Sequence, residues 1–338
     1  MLSIDVRNLT KIYRTYVKEP GFLGALKGLG SRTYKETAAA RDVTFSVEEG
    51  ELVGFLGPNG AGKTTTLKML SGLLHPSRGE AKVLGYTPWE RHNDFKRQFA
   101  LVLGQKNQLW WDLPAAESLE LNRVIYGLDR KQGEKVRDEL TEMLDVRDKL
   151  HIMVRELSLG ERMKFELIAA LQHGPRVLFL DEPTIGLDVV SQKKVREFLA
   201  VYSCRRKITT LLTSHYMQDI EQLCERVIII DEGTVRFDGP LREITEKFSS
   251  HKIVTVKRSK GLRQDYDYTP LGEVVERSLE AVKLKVLRPQ VVHVCREVLE
   301  TLDADDLDIE EVPIEDIIRE VFSGGKMTPA TPPAESAV

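Results

Sequence analysis

Residues 57–64 read Gly57-Pro58-Asn59-Gly60-Ala61-Gly62-Lys63-Thr64, the Gly-x-x-x-x-Gly-Lys-Thr spacing of a phosphate-binding loop. Glycines let successive backbone N–H groups close round phosphate oxygens. A helix opening on the lysine aims roughly half a positive charge at the anion. In such a loop Lys63 reaches the β- and γ-phosphates and Thr64 offers its hydroxyl to Mg²⁺. Further along, the apolar run Val177-Leu178-Phe179-Leu180 ends in Asp181-Glu182. Acids at the end of a buried strand stand where open α/β sheets place ligands. Asp181 is expected to hold Mg²⁺ through water, and Glu182 to orient or deprotonate an attacking water. Phosphoryl transfer asks mainly for placement and charge neutralisation, so one lysine, one metal and one carboxylate suffice.

These groups need a scaffold, and the hydrophobic pattern predicts one. Residues 2–9 read as a strand, interrupted by a glycine-rich insert at 17–35. Strand-like Val43–Val47 and Glu51–Leu56 flank Glu48-Glu49-Gly50, a turn that suits a hairpin. A helical pattern runs from Lys63 to Leu70, and amphipathic helices are expected over 115–126 and 131–144. Ser158 with Glu161 three residues on is a capping box opening a helix over 158–173. Strands and helices then alternate: Val177–Leu180, 189–202, Thr209–Thr213, 217–224, Val227–Ile230. That alternation predicts a mostly parallel sheet with covering helices. Beyond residue 240 the composition shifts. Strands at Ile253–Val256 and Val282–Leu287, a helix from Pro289 to Leu302, residues Leu307–Glu310 and a helix from Ile314 to Phe322 read as a small α+β appendage. The Pro-rich tail around 328–335 reads as disordered.

Composition bounds the rest. The chain has 338 residues, which predicts about two domains. Forty-nine Lys and Arg against 52 Asp and Glu give a net charge of −3, which argues against a bulk nucleic-acid binder. Cys204, Cys224 and Cys295 are odd in number and scattered, so neither a disulfide framework nor a zinc site is expected, and all three read as small core residues. No apolar run approaches the ~20 residues needed to span a bilayer.

The whole set of motifs resembles the ATP-binding subunit of an ABC transporter over roughly residues 2–245. Besides the phosphate loop and Asp181-Glu182, Leu157-Ser158-Leu159-Gly160-Glu161 resembles the family signature Leu-Ser-Gly-Gly-Gln. Gln105 resembles the Q-loop glutamine, Gly186-Leu187-Asp188 the D-loop, and His215 of Thr213-Ser214-His215 the switch histidine. The signature departs from the pattern at Leu159 and Glu161 but keeps Ser158 and Gly160. The resemblance implies an α/β P-loop NTPase fold: a mixed sheet with RecA-like parallel strands, a β subdomain and a helical subdomain, plus the C-terminal α+β appendage. The domains expected are 1–245 (helical subdomain about 106–173), 246–325 and a disordered tail at 326–338.

The resemblance also implies ATP and Mg²⁺ as ligands. Residues 57–64 with Thr65 would cradle the phosphates, Gln105 would join Thr64 and Asp181 at the metal, and Glu182, His215, Gln105 and Lys63 would serve catalysis. Ser158 and Gly160 would touch the γ-phosphate held by a second copy, with Asp188 nearby. Tyr34 and Tyr13 both fit the adenine-stacking position, Tyr34 being preferred. Partners would be a second copy of the chain and integral-membrane permease subunits, at the cytoplasmic face of a membrane, with export as the direction. The other reading is a soluble ABC-type mechanical ATPase of translation or DNA repair. Only one cassette and no sustained heptads between the nucleotide motifs speak against it. Trp110 and Trp111, adjacent in a loop, are candidate interface anchors. The insert at 17–35 carries Phe22, Leu23, Leu26 and Leu29 among basic residues; its glycines read it as a plain loop, with a membrane-surface role as the alternative. Nine acids and one arginine over 303–320 read as a solvated face.

Overall fold

The computed structural model describes residues 1–16, 34–104, 108–214, 216–248, 250–258, 266–302, 304–313 and 316–317. Gln105, His215, nearly all of the 17–35 insert, most of the helix expected over 314–322 and the tail at 328–335 lie outside them. The chain divides into two compact units, Met1–Gly239 and the residues from Pro240 onward.

In the first unit β1 (Leu2–Tyr16), β2 (Tyr34–Glu48) and β4 (Arg78–Val83) form an antiparallel sheet in the order β2-β1-β4. A second sheet takes β3 (Leu52–Leu56), β5 (Phe99–Leu103), β6 (Val177–Asp181), β7 (Thr209–Thr213), β8 (Arg226–Asp231) and β9 (Thr234–Pro240) in the order β5-β6-β7-β3-β8-β9. From β5 through β8 all its pairings are parallel. The helices are α1 (Lys63–Leu70), α2 (Asn93–Lys96), α3 (Ala115–Tyr126), α4 (Arg130–Met143), α5 (Leu159–Leu171), α6 (Val189–Arg206) and α7 (Met217–Leu223).

The parallel strands read as continuous apolar runs because both faces are covered, and every residue of β6 and β7 is buried. The main core joins the two sheets. Ile4, Val6, Phe45 and Val47 from the first meet Val53, Phe55, Ile228 and Ile230 from the second, with Leu67, Met69 and Leu70 of α1. Each large apolar side chain buried this way contributes roughly 1.5–3 kcal/mol relative to exposure. Helix α5 is buried from Phe165 through Leu171, so it is a core helix of this unit.

Three expectations are corrected. The segments about Glu48-Glu49-Gly50 do not form a hairpin: β2 pairs with β1, and β3 lies in the other sheet. The turn, with Gly50 at φ 80°, hands the chain from one sheet to the next. β1 and β2 are also longer than their local apolar alternation, because they pair with each other out to Tyr16 and Tyr34. Among the cysteines only Cys224 is buried; Cys204 is exposed, Cys295 is half-buried, and all three are free.

The second unit opens with α8 (Leu241–Phe248), followed by a four-stranded antiparallel sheet, β11-β12-β10-β13, of β10 (His251–Lys257), β11 (Glu273–Arg277), β12 (Ala281–Leu287) and β13 (Asp306–Glu311). Helix α9 (Val291–Thr301) sets Val291, Val294 and Val298 against Val254, Val256, Val282 and Leu284. β11 and α8 were not foreseen. Among the described residues no helix is long and apolar enough to cross a membrane.

Candidate functional site

The phosphate loop leaves the C-terminal end of β3 and enters α1 at Lys63. Gly62 is in the left-handed region at φ 105°, and a Cβ there would lie 2.1 Å from the Ala39 carbonyl oxygen, so only glycine fits. At Gly57 the same test brings a Cβ to 2.2 Å from the Ile230 carbonyl oxygen. Gly60 is also left-handed, at φ 83°, but faces open space. Lys63 Nζ donates to the carbonyl oxygens of Gly57 (2.6 Å) and Pro58 (3.1 Å). Burial pushes its ammonium below the usual lysine range, and Glu182 and Asp181 push it back up.

β6 delivers Asp181 to the same end of the sheet. The Thr64 hydroxyl donates to Asp181 Oδ2 (2.7 Å) and the Thr213 hydroxyl to Asp181 Oδ1 (2.7 Å), so both carboxylate oxygens are held. A hydroxyl and a carboxylate placed together are hard oxygen donors of the kind Mg²⁺ takes. Glu182 follows at φ 56°, a left-handed backbone uncommon for a non-glycine residue, with its N–H donating to the Thr213 hydroxyl (3.1 Å) and carbonyl (3.1 Å). Thr65 lies half-buried in the first turn of α1.

The signature segment forms the capping box read from the sequence. Ser158 Oγ accepts from the Glu161 N–H (3.3 Å), while Glu161 Oε2 accepts from the Ser158 N–H (2.9 Å) and hydroxyl (2.8 Å). These bonds and Lys149 hold the Glu161 carboxyl below the usual carboxylate range. A Cβ on Gly160 would lie 2.3 Å from Ser191 Oγ. Asp188 caps α6, accepting from the Ser191 N–H (2.9 Å) and hydroxyl (2.6 Å). Thus Ser158-Leu159-Gly160 and Asp188 stand side by side, although Ser158 does not meet Lys63 or Asp181 by any hydrogen bond within the chain.

Tyr13 and Tyr34 are both exposed on the β1–β2 ribbon, and Lys11 Nζ lies 5.5 Å from the Tyr13 ring centre. Trp110 and Trp111 are both exposed, at 56% and 45%, so neither is spent on the core. The Arg162 guanidinium covers the Trp111 ring at 5.2 Å.

Three residues essential to this geometry escaped the sequence reading. Asp219, at 1% exposure, pairs with buried Arg196 (2.9 Å) and accepts from the hydroxyls of Ser214 (2.5 Å) and Thr184. It ties the residue after β7 to the turn after Glu182. Glu166, buried in α5, accepts the N–H groups of Gln108 (2.9 Å) and Leu109 (3.3 Å), fixing the start of the loop that carries both tryptophans. Burial raises its carboxyl above the usual range. Gly104 donates its N–H to the Asp181 carbonyl (2.8 Å), and a Cβ there would sit 2.3 Å from the Glu182 carbonyl oxygen. A charged residue inside an apolar run, as in Phe165-Glu166-Leu167-Ile168, is the signal that could have marked Glu166.

Comparison with known proteins places the chain in a family. Residues 40–185 match the family model described as ABC transporter, and residues 250–310 the one described as EvrA-like ABC transporter, C-terminal domain. The ABC transporter ATP-binding protein NatA of Bacillus subtilis is 35% identical over 229 residues, spanning 68% of this chain and 93% of that protein. The Nod factor export ATP-binding protein I of Burkholderia pseudomallei is 33% identical over 262 residues, 78% of this chain and 86% of that protein. In fold, the chain resembles a solved dimeric ATP-binding cassette in a post-hydrolysis state bound to ADP and Pi, with a TM-score of 0.59 at 23% identity, covering 71% of this chain and 99% of that one. The chain therefore belongs to the ATP-binding proteins of ABC transporters and is an ATP-hydrolysing member of that family.

Proposed function

We propose that two copies of the chain clasp two ATP molecules, each between residues 57–65 of one copy and Ser158 and Gly160 of the other, and that hydrolysis drives export through separate membrane subunits. The observation that carries the reading is the carboxylate of Asp181, held by the hydroxyls of both Thr64 and Thr213, beside Glu182 and Lys63. Thr64 and Asp181 would hold Mg²⁺, with Gln105 as a third donor inferred from sequence alone; the ion would offset charge on the transferring phosphoryl group. Lys63 adds a positive charge at the β- and γ-phosphates. The Glu182 carboxylate accepts a proton from the attacking water as its oxygen bonds to the γ-phosphorus and the bond to the β-phosphate oxygen breaks. His215 would read the γ-phosphate, Asp188 would lie at the contact between the copies, and Tyr34 or Tyr13 would stack on adenine. Export as the direction draws on the relative named for Nod factor export, and the paired arrangement on the dimeric cassette of like fold. The exposed Trp110 and Trp111 would meet the membrane subunit, at the cytoplasmic face of the membrane.

Glu182→Gln tests the reading. Steady-state hydrolysis should fall about 10²–10⁴-fold, while ATP binding persists and ATP shifts the chain from monomer to dimer on a sizing column. The wild-type chain, isolated from native membranes, should bring an integral-membrane protein with it. Undiminished hydrolysis in the variant would overturn the role of Glu182. Purification free of any membrane protein would overturn the transport role and favour the soluble mechanical ATPase.

A further inference from the structure

The capping box that opens α5 is exposed at Ser158 and Leu159, and one proton in it decides what the segment can bind. Among the described residues the Ser158 hydroxyl is bonded to Glu161 alone: it accepts from the Glu161 N–H (3.3 Å) and donates to Oε2 (2.8 Å). An ionised carboxylate only accepts, so the single hydroxyl proton points at Glu161. That carboxyl also takes the Ser158 N–H (2.9 Å) and faces Lys149 Nζ, 3.6 Å from Oε1. The N–H first, then the hydroxyl and Lys149, hold it below the usual carboxylate range, so it is charged at neutral pH.

The clasp proposed above asks the opposite of that hydroxyl. A γ-phosphate offers acceptor oxygens, so Ser158 meets the ATP of a second copy as a donor only by turning its proton away from Glu161. Once it has turned, a carboxylate oxygen and a phosphate oxygen stand on either side of one hydroxyl, roughly 5 Å apart, where like charges repel. The same carboxylate lies in the first turn of α5 and takes up part of the positive helix end that would otherwise attract the phosphate. Lys149, which also faces Asp148 (3.5 Å), offsets part of this negative charge. The glutamine of the family signature lacks these effects. It serves a capping box equally well, carries no charge, and its amide N–H can donate to the hydroxyl, which leaves the Ser158 proton for the phosphate.

We propose that Glu161 is a positioning residue that weakens the ATP clasp: it withholds the Ser158 proton, and with Lys149 as its counter-charge it sets how readily ATP draws two copies together. This role rests on the reading that Ser158 and Gly160 meet the γ-phosphate held by a second copy. A pair of copies holds two such contacts, so an effect of about threefold at each becomes about tenfold for the pair.

Sedimentation velocity with ATP and Mg²⁺ tests it, on the full chain carrying Glu182→Gln so that the nucleotide is bound but not cleaved. Adding Glu161→Gln should lower the chain concentration at which half the molecules are paired by about tenfold. Adding Lys149→Met, which leaves Glu161 without its counter-charge, should raise that concentration about threefold or more. ATP binding at chain concentrations too low for pairing should be the same in all three, since residues 57–65 are untouched. A cap with no bearing on the phosphate predicts neither shift. Pairing by the Glu161→Gln variant that is no tighter than its parent's, or changes of the same sign in both variants, would overturn the role of Glu161 and leave the clasp standing. Absence of ATP-driven pairing in Glu182→Gln itself would overturn the clasp and this role with it. The Lys149 side chain is 35% exposed, so Lys149→Met carries the test if Glu161→Gln fails to fold, and unchanged or tighter pairing there would overturn the role as well.

Discussion

The two ends of the parallel sheet are separated by strands of five residues, about 15 Å, and they treat polar groups in opposite ways. At the C-terminal end both oxygens of Asp181 and both of Asp219 are taken up by hydroxyls and a guanidinium from other elements. At the N-terminal end the acceptors of Gln172 Oε1 and His173 Nδ1 have no partner among the described residues. A fully satisfied network fixes its members and has no orientation to find when charge moves, which is what phosphoryl transfer rewards. A buried acceptor left without a partner costs stability instead. The same sheet thus carries a fully satisfied polar network at one end and two unmet buried acceptors at the other.

The sharpest way to break this contrast is to remove the hub of the satisfied end. Asp219→Ala would leave the Arg196 guanidinium, 5% exposed, with Gln222 Oε1 (3.0 Å) as its one remaining hydrogen-bond partner among the described residues, and would free the hydroxyls of Ser214 and Thr184. Losing one member of a buried pair costs about 3–5 kcal/mol. Urea unfolding followed by circular dichroism should show that loss. Asp219→Leu combined with Arg196→Met should recover most of it, because no charge is then stranded. A loss under about 1 kcal/mol would mean the network is not the rigid element argued here.

The unsatisfied end can be examined through pH. Burial pushes His173 from its ordinary 6.5 to about 4 in the folded chain. Between those values the unfolded chain binds a proton that the folded chain refuses. The contribution of His173 to stability is therefore complete above pH 6.5, falls as pH drops toward 4, and changes no further below that. The full difference is about 3 kcal/mol. Carboxylates titrate in part of the same range, so the measurement is a difference: unfolding free energy at pH 7 and at pH 4.5, for wild type and for His173→Gln. The variant should lose less stability on acidification. Equal losses would show that the imidazole is not held neutral by its surroundings.

How much of this was legible in the sequence follows from how local each signal is. The phosphate loop, the acids closing β6 and the capping box at Ser158 are contiguous patterns, and the helix over 63–70 and strand over 209–213 follow from apolar periodicity. Asp219, Glu166 and Gly104 are not legible in that way. Asp219 meets partners 23 and 35 positions away, and Glu166 holds an N–H 58 positions before it. The pairing of β2 was misread for the same reason: Glu48-Glu49-Gly50 turns the chain as a hairpin would, but which sheet receives the next strand is settled by cores that assemble at long range. The unmet acceptors of Gln172 and His173 carry no sequence signature, since an amide and an imidazole after a helix ordinarily face water.

Gly104 gives the smallest and most specific test of the satisfied end. It lies in the loop leaving β5, and its backbone is pressed against that of Glu182. A Cβ 2.3 Å from the Glu182 carbonyl oxygen cannot be accommodated without moving backbone, because neither atom belongs to a flexible side chain. Gly104→Ala should cost about 1–3 kcal/mol, the usual range for overpacking, but the displacement has a direction. It pushes on Glu182, whose left-handed backbone is held from the other side by Thr213. Lys63 and the glycine loop are anchored on β3 and α1 and do not share this contact. The variant should therefore bind ATP as the wild type does and turn it over more slowly, so that kcat falls with KM little changed. If both binding and turnover stay at wild-type values, the close approach of Gly104 does not set the position of Glu182, and the rigidity of that end must come from Asp181 and Asp219 alone.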